Sequence, residues 1–128
     1  MLKPEPMSEP TESADNLYNI AYFEEVAGGD RDFITKMVSL FIELTPGLVA
    51  DMNKAYEQHD LKEMGRLAHK VKPNIANMGI GSLITAIREI EEAGKSGEDG
   101  PSLAPMLQEV KNVIEKVVQQ LKKEYLFT

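Results

Sequence analysis

The residues of this sequence best suited to chemistry surround one of its two histidines. The chain has no cysteine, so His69 and His59 are its only imidazole or thiol groups. Neutral imidazole is nucleophilic at the nitrogen that carries no proton, and a cation one helical turn away stabilises a phosphoryl group held there. Residues 62–72 carry a local charge of +3 in a 128-residue chain of net charge −7, with four cations at Lys62, Arg66, Lys70 and Lys72. The segment therefore favours phosphoryl chemistry at His69, and it would equally steer an acidic partner.

Helical periodicity predicts that His69 is exposed. At about 100° per residue, His69 lies roughly 140° from Met64, which belongs to the apolar stripe of this helix. Gly65, one turn before the histidine, costs about 1 kcal/mol relative to alanine inside a helix, which predicts that another group approaches closely beside the ring. An ordinary solvated histidine on an amphipathic helix is the alternative interpretation. The residues of the apolar stripe are Met64, Ala68, Val71, Ile75 and Met78.

The preceding part of the chain predicts two helices. A short opening helix begins near Leu17 and ends at a pair of glycines. Asp30 then caps a long helix over 31–58, which bends at Pro46 because proline removes one backbone hydrogen bond. Two separate helices divided at Pro46 are the competing interpretation. The predicted inward positions of the long helix recur at steps of three or four: Phe33, Met37, Phe41, Leu44, Leu48, Met52 and Ala55.

Three further helices are predicted after the long one. Asp60 and Glu63 form a predicted capping box that opens the helix of residues 61–77. The fourth helix is expected to end at Gly94, before an exposed turn over 94–100. The last helix has apolar residues at heptad-like spacing, which suits the seam of a bundle: Leu103, Leu107, Val110, Ile114, Val117 and Leu121.

These elements predict an all-α fold, an antiparallel up-and-down four-helix bundle with a short additional N-terminal helix. Residues 1–16 are rich in proline and carboxylates, so we expect a flexible polar tail there and the bundle domain over 17–128. The net charge of −7 and the pI near 4.8 disfavour nucleic acid and anionic membranes as partners. No uninterrupted apolar run approaches the roughly 18 residues that span a bilayer, so we expect an intracellular, soluble protein.

The other chemistry-bearing residues predict structural roles. His59 is expected at the end of the long helix, where a cationic imidazole is favourable. Glu89, Glu91 and Glu92 are interpreted as one solvated face, since no histidine or cysteine accompanies them to bind a metal. Arg88 would either contact phosphate or belong to ordinary surface. A hydrolase lacks support, because the sequence offers neither a metal cluster nor a set of nucleophile, base and acid.

The segment LAHKVKPNIANMGI, residues 67–80, resembles the signature of histidine phosphotransfer (HPt) domains. It contains an Ala-His pair, a hydrophobic residue two positions after the histidine, a lysine three after and a glycine ten after. The LF-x-x-x-x-P-x-L pattern of residues 40–48 and the placement of Asp60 at the helix start are also similar to that family. The resemblance spans about residues 17–124 and implies a helical bundle.

This resemblance implies a phosphorelay carrier rather than an autonomous enzyme. His69 would accept a phosphoryl group from the aspartyl phosphate of one receiver domain and pass it to another receiver, and Lys72 would neutralise the phosphate. The implied partners are response-regulator receiver domains and a hybrid sensor histidine kinase, and the carrier would be a cytoplasmic monomer. It would have no cofactor of its own, with magnesium on the receiver. The partner-binding surface would comprise Lys62, Gly65, Arg66, Lys70, Pro73, Ala76 and Gly79.

Pro73 departs from the family pattern, which usually has a small residue, commonly glycine, at this position. The proline ring removes the amide that would bond the His69 carbonyl, so we expect the helix to bend there and then continue. This departure keeps an alternative function open, namely a non-catalytic adaptor of HPt shape that binds and sequesters a receiver without accepting phosphate.

Overall fold

The structure, a computed structural model, describes residues 17–126. Within this range the chain forms five α-helices and two short helical turns, joined by loops. The predicted tail over 1–16 lies outside the described residues. A 3₁₀ turn, Gly81–Leu83, precedes the fourth helix, and a π-helical turn, Lys122–Leu126, follows the fifth. The helices are α1 (Ala21–Ala27), α2 (Arg31–Glu57), α3 (Leu61–Asn77), α4 (Ile84–Ser96) and α5 (Leu103–Leu121).

Helices α2 to α5 pack as a bundle, and α1 packs against α2. The predicted all-α four-helix bundle with a short N-terminal helix is thereby confirmed. Helix α3 lies between α2 and α4, and α5 packs against both α2 and α4. Each large apolar side chain in the core contributes about 1.5–3 kcal/mol relative to exposure, so the core holds α3 and α4 firmly together. The largest fully buried side chains on these two helices are Met64, Ile75, Ile87 and Ile90.

Helix α2 is one continuous helix through Pro46, as predicted. The Asp30 carboxylate caps it by accepting the Phe33 N–H at 3.2 Å. By length and composition alone this helix could cross a membrane, a criterion that core helices of globular proteins also meet. In the bundle it buries a stripe of seven residues against α3 and α5.

The predicted inward face of α2 is only partly right. Two of the predicted inward residues, Phe33 and Leu44, are 39% and 54% exposed. Two apolar stripes run side by side along α2, and periodicity alone cannot choose between them. Contacts with the neighbouring helices determine which stripe is buried. For example, the Asn74 amide of α3 donates to the Thr45 hydroxyl at 3.3 Å. The buried stripe consists of Ile34, Val38, Phe41, Thr45, Val49, Met52 and Ala55.

Helix α4 ends two residues later than predicted. It continues through Gly94 to Ser96, and Gly97 terminates it in the left-handed conformation, with φ +73°. The Gly97 N–H donates to the Ala93 carbonyl at 2.8 Å, which satisfies a terminal carbonyl of the helix. The predicted end at Gly94 is therefore wrong, because this glycine serves a helix contact instead of a turn.

The segment before α1 packs across the end of α3. The Asn19 N–H donates to the Met78 carbonyl at 3.0 Å, and the Tyr18 hydroxyl donates to the Glu124 carboxylate in the π-helical turn. Gly79 turns the chain with φ +67°, and a Cβ added there would lie 2.8 Å from the Asn19 Cβ. These contacts fix the C-terminal end of the histidine helix.

Candidate functional site

Helix α3 presents His69 from a well-anchored scaffold. As predicted, the Asp60 carboxylate caps this helix by accepting the Glu63 N–H at 3.1 Å. The Glu63 carboxylate does not complete the capping box, because the Asp60 N–H donates to the Ala55 carbonyl at 2.9 Å. The Arg66 guanidinium binds the Glu63 carboxylate instead, through two hydrogen bonds of 2.7 Å. The same bond from Arg66 lowers the pKa of Glu63. The helix continues past Pro73 as expected, so His69 lies in its middle.

The His69 ring is exposed and anchored at one nitrogen. Its side chain is 70% exposed, in agreement with the helical wheel. Its Nδ1 lies 2.6 Å from Oε2 of Glu91, which belongs to α4. An ionised carboxylate can only accept a hydrogen bond, so Nδ1 carries the proton and donates it. In the neutral ring, Nε2 is then the nitrogen with a free lone pair.

Glu91 is the centre of the polar cluster. Its side chain is only 10% exposed, and its Oε1 accepts a hydrogen bond of 2.7 Å from the Lys72 ammonium. The Lys95 ammonium lies 4.0 Å from Oε2. The bond from Lys72 is the main cause that holds the pKa of Glu91 below its usual range, and the bond from His69 acts in the same direction against the effect of burial. Glu91 is therefore a carboxylate at neutral pH, with both oxygens occupied.

This arrangement can perform nucleophilic chemistry at Nε2. A bond formed at Nε2 puts positive charge on the ring, and the Glu91 carboxylate at Nδ1 stabilises that charge without taking the proton. The hydrogen bond also fixes the plane of the ring, so the lone pair of Nε2 keeps one direction. The cluster has the parts that an acceptor of a phosphoryl group needs: a free ring nitrogen, an orienting carboxylate and nearby cations.

Five of the residues predicted to surround His69 are exposed. Between α3 and α4 a groove of about 540 Å³ runs beside the ring, and three cations line it: Lys62, Arg66 and Lys95. Lys95 was not among the predicted residues, although it lies one turn after Glu91 on α4. The five exposed residues are Lys62, Arg66, Lys70, Pro73 and Ala76.

Two other residues of the predicted partner-binding surface are covered by the chain itself. Gly65 is buried, and a Cβ added to it would lie 2.8 Å from the Cα of Gly94. The close approach that Gly65 predicted is real, but α4 makes it and not a partner. Gly79 lies beneath Asn19 at the end of α3. Both glycines therefore have a packing role within the chain, and their contact with a partner stays a prediction.

Glu91 is a site residue that was not among the predicted ones. The interpretation of three glutamates as one solvated face holds for Glu89 and Glu92, which are exposed, and is wrong for Glu91, which is 8% exposed. The available signal was its phase, since Glu91 lies one turn after Ile87 on the buried side of α4. Arg88 is exposed on the same helix.

The second histidine, His59, belongs to the turn between α2 and α3. His59 follows the end of α2 with φ +61°, and its N–H donates to the Tyr56 carbonyl at 2.9 Å. It is exposed and has the structural position that the sequence predicted. Within residues 17–126, no group of three or more histidine, aspartate or glutamate side chains could hold a metal ion.

Comparisons with known proteins support one family. The family model of the Hpt domain matches residues 36–123, about two thirds of the chain. The matched region begins in α2, contains all of α3 and α4, and extends past the end of α5, so it includes the whole polar cluster. No curated protein and no solved structure matches the chain.

Proposed function

Because the chain belongs to the Hpt domain family, whose members are phosphotransfer intermediates of phosphorelays, we propose that His69 is its phosphoryl acceptor. The donor is the aspartyl phosphate of a receiver domain, and a second receiver takes the group on. The observation that carries this proposal is the 2.6 Å contact between His69 Nδ1 and Glu91, which leaves Nε2 as the nucleophilic nitrogen of an exposed ring.

The transfer step needs no proton to leave the site. Nε2 of neutral His69 attacks phosphorus, the N–P bond forms, and the bond between phosphorus and the aspartyl oxygen breaks. The electron pair of that bond stays on the aspartate, which becomes a carboxylate. The ring keeps its Nδ1 proton and gains one positive charge, which Glu91 faces directly. The return step to a second receiver is the same reaction in reverse.

Lys72 and Lys95 have different positions relative to Glu91 and the groove. The Lys72 ammonium is bound to Glu91 and is about one third exposed, so its first role is to keep that carboxylate ionised and in place. The side chain of Lys95 is 69% exposed, and it lines the groove beside the ring together with Lys62 and Arg66. These cations supply the positive potential that attracts an anionic partner.

The partner-binding surface of the proposal is the exposed part of α3 with the adjoining groove. It comprises the five exposed residues named above together with Lys95. The receiver supplies the magnesium and most of the electrostatic stabilisation, while this chain supplies a positioned nucleophile. We propose a cytoplasmic monomer that acts without a cofactor of its own, as an intermediate rather than an autonomous catalyst.

Phosphotransfer from a phosphorylated receiver tests this function. We expect the wild-type chain and His59→Gln to acquire acid-labile phosphate and His69→Gln to acquire none. Labelling of His69→Gln together with its loss in His59→Gln would overturn the assignment. If no receiver transfers phosphate to the wild type, yet receivers bind wild type and His69→Gln equally, the chain is an adaptor that sequesters receivers.

A further inference from the structure

Helices α3 and α4 touch through two glycines beside the polar cluster. A Cβ added to Gly94 would lie 2.5 Å from the Cα of Gly65 and 2.8 Å from the Leu61 carbonyl oxygen. A Cβ added to Gly65 would lie 2.8 Å from the Cα of Gly94 and 3.3 Å from the Glu91 carbonyl oxygen. All of these neighbours are backbone atoms, so no side chain can rotate away to make room. The two helices are as close here as their backbones allow.

The glycine contact and the hydrogen bond of the histidine belong to the same helix crossing. Gly65 lies one turn before His69 on α3, and Gly94 lies about one turn after Glu91 on α4. The two helices run in opposite directions. The contact between Gly65 and Gly94 and the hydrogen bond between His69 and Glu91 are therefore neighbouring contacts, about one helical turn apart, along the same helix interface. The distance between α3 and α4 that the glycines allow therefore also sets the distance between the Glu91 carboxylate and the His69 ring.

We propose that the contact between Gly65 and Gly94 is a positioning element for phosphotransfer, because it sets the hydrogen bond between Glu91 and His69. The inference rests on the function proposed above and adds to it two residues that act through Glu91 and the histidine ring rather than on the phosphoryl group. It also gives a reason for a glycine inside each helix, where alanine would be favoured by about 1 kcal/mol.

The hydrogen bond between His69 and Glu91 is sensitive to the separation of α3 and α4. Carbon atoms in contact lie about 3.5–4.0 Å apart, so a methyl group at position 94 would have to push the helices apart by about 1 Å. The same displacement would open the 2.6 Å contact between Nδ1 and Oε2 to about 3.6 Å, beyond hydrogen-bond distance. The ring would then lose its anchor, and Nδ1 would no longer be fixed as the protonated nitrogen.

The test compares Gly94→Ala with Gly47→Ala, which changes a glycine inside α2 that has open space around it. Both variants are measured by single-turnover transfer from a phosphorylated receiver and by ¹H–¹⁵N correlation of the histidine ring in a His59→Gln background. Gly94→Ala is expected to slow transfer by about 10-fold and to reduce the population of neutral rings protonated at Nδ1. Gly47→Ala is expected to match the wild type in both measurements.

A double variant separates positioning from general stability. In the Glu91→Ala background, Gly94→Ala is expected to slow transfer by less than about 2-fold further, because the interaction on which it acts is already missing. A full additional 10-fold loss there would overturn the proposal, and so would a wild-type ring tautomer in folded Gly94→Ala. If Gly94→Ala fails to fold, Gly65→Ala, whose closest contact is less severe, is judged by the same two criteria.

The ring measurement does not depend on phosphotransfer. If the wild type accepts no phosphate while its ring is protonated at Nδ1 and Gly94→Ala changes this, the proposed function fails and the structural link between glycines and histidine stands. If phosphate is transferred to His69 at the wild-type rate in Gly94→Ala as well as in Gly47→Ala, the proposed function stands and the positioning role fails.

Discussion

Glu91 Oε2 accepts a 2.6 Å hydrogen bond from Nδ1 of His69, although the two residues belong to different helices and are 22 positions apart in the chain. A partly buried carboxylate thus selects the tautomer of an exposed ring. The proposed nucleophile belongs to α3, and a residue of α4 determines which nitrogen of its ring carries no proton.

The first prediction concerns the charge and the hydrogen bond of Glu91. Glu91→Ala is expected to slow transfer to His69 by about 100-fold, the usual contribution of a positioned group of this kind. Glu91→Gln is expected to slow transfer less, since its amide oxygen can still accept a hydrogen bond from the Nδ1–H group but carries no charge. Single-turnover kinetics with a phosphorylated receiver measure both, with the exposed neighbour Glu92→Gln as control. Wild-type rates in Glu91→Ala would contradict the role of the carboxylate.

The second prediction concerns Lys72 and pH. The hydrogen bond from Lys72 is the main cause of the lowered pKa of Glu91, whose ordinary value is 4.5. A lowered pKa in the folded state stabilises the fold above the ordinary value, and this contribution is lost as the pH falls through the lowered one. Lys72→Met is therefore expected to reduce the free energy of unfolding by about 1 kcal/mol near neutral pH, and by less as the pH falls below about 4.5.

Urea denaturation of Lys72→Met and wild type at several pH values measures this difference. Lys70→Met is the control, because Lys70 is exposed on the same helix and is not bound to Glu91. A difference between wild type and Lys72→Met that stays constant down to about pH 3 would mean that Lys72 does not stabilise the fold through Glu91. At neutral pH the variant should remain folded, and its phosphotransfer should be slower.

The third prediction concerns the second histidine. His59 has φ +61°, a conformation that costs a residue with a Cβ roughly 1 kcal/mol. His59→Gly is expected to raise the free energy of unfolding by about 0.5–1 kcal/mol, since glycine adopts this conformation readily. Thermal unfolding measures the gain, and the rate of phosphotransfer should not change. Destabilisation would show that the imidazole makes a favourable contact that outweighs the backbone cost.

The fourth prediction compares the effects of alanine substitution at two glycines that follow α3. Gly79 has φ +67°, and an added Cβ would lie 2.8 Å from the Asn19 Cβ and 2.9 Å from its nitrogen. Gly81, two residues later, has open space around it. Gly79→Ala is expected to lower the free energy of unfolding by about 2 kcal/mol or more, and Gly81→Ala by much less. Equal effects in chemical denaturation would show that the N-terminal segment does not hold the end of α3.

The helices themselves could be predicted because their signals are local. Asp60 caps α3, the apolar stripe from Met64 to Met78 repeats at helical spacing, and proline alone does not end a helix whose apolar phase continues. The exposure of His69 follows from the same stripe. These properties depend on residues within one or two turns of each other.

The errors concern properties that depend on a second helix. Leu44 has the periodicity of a buried residue, yet the packing partners of α2 bury Thr45 in its place. Gly65 correctly indicated a close approach beside His69, but one sequence does not say whether another helix or another protein makes it. Glu91 was missed because its partners, His69 and Lys72, lie on α3, about 20 positions earlier in the chain.

The hydrogen bonds of Glu91 affect the expected lifetime of a phosphohistidine at position 69. Hydrolysis of a phosphohistidine is assisted when a general base takes a proton from the attacking water. Each oxygen of Glu91 already accepts a hydrogen bond, one from His69 and the other from Lys72. Because the side chain is also buried and its pKa is lowered, this carboxylate is a weak base that water reaches poorly. Under the proposed function, Glu91 would contribute little to hydrolysis of a phosphoryl group on His69, which would prolong the lifetime of the phosphohistidine until a receiver binds.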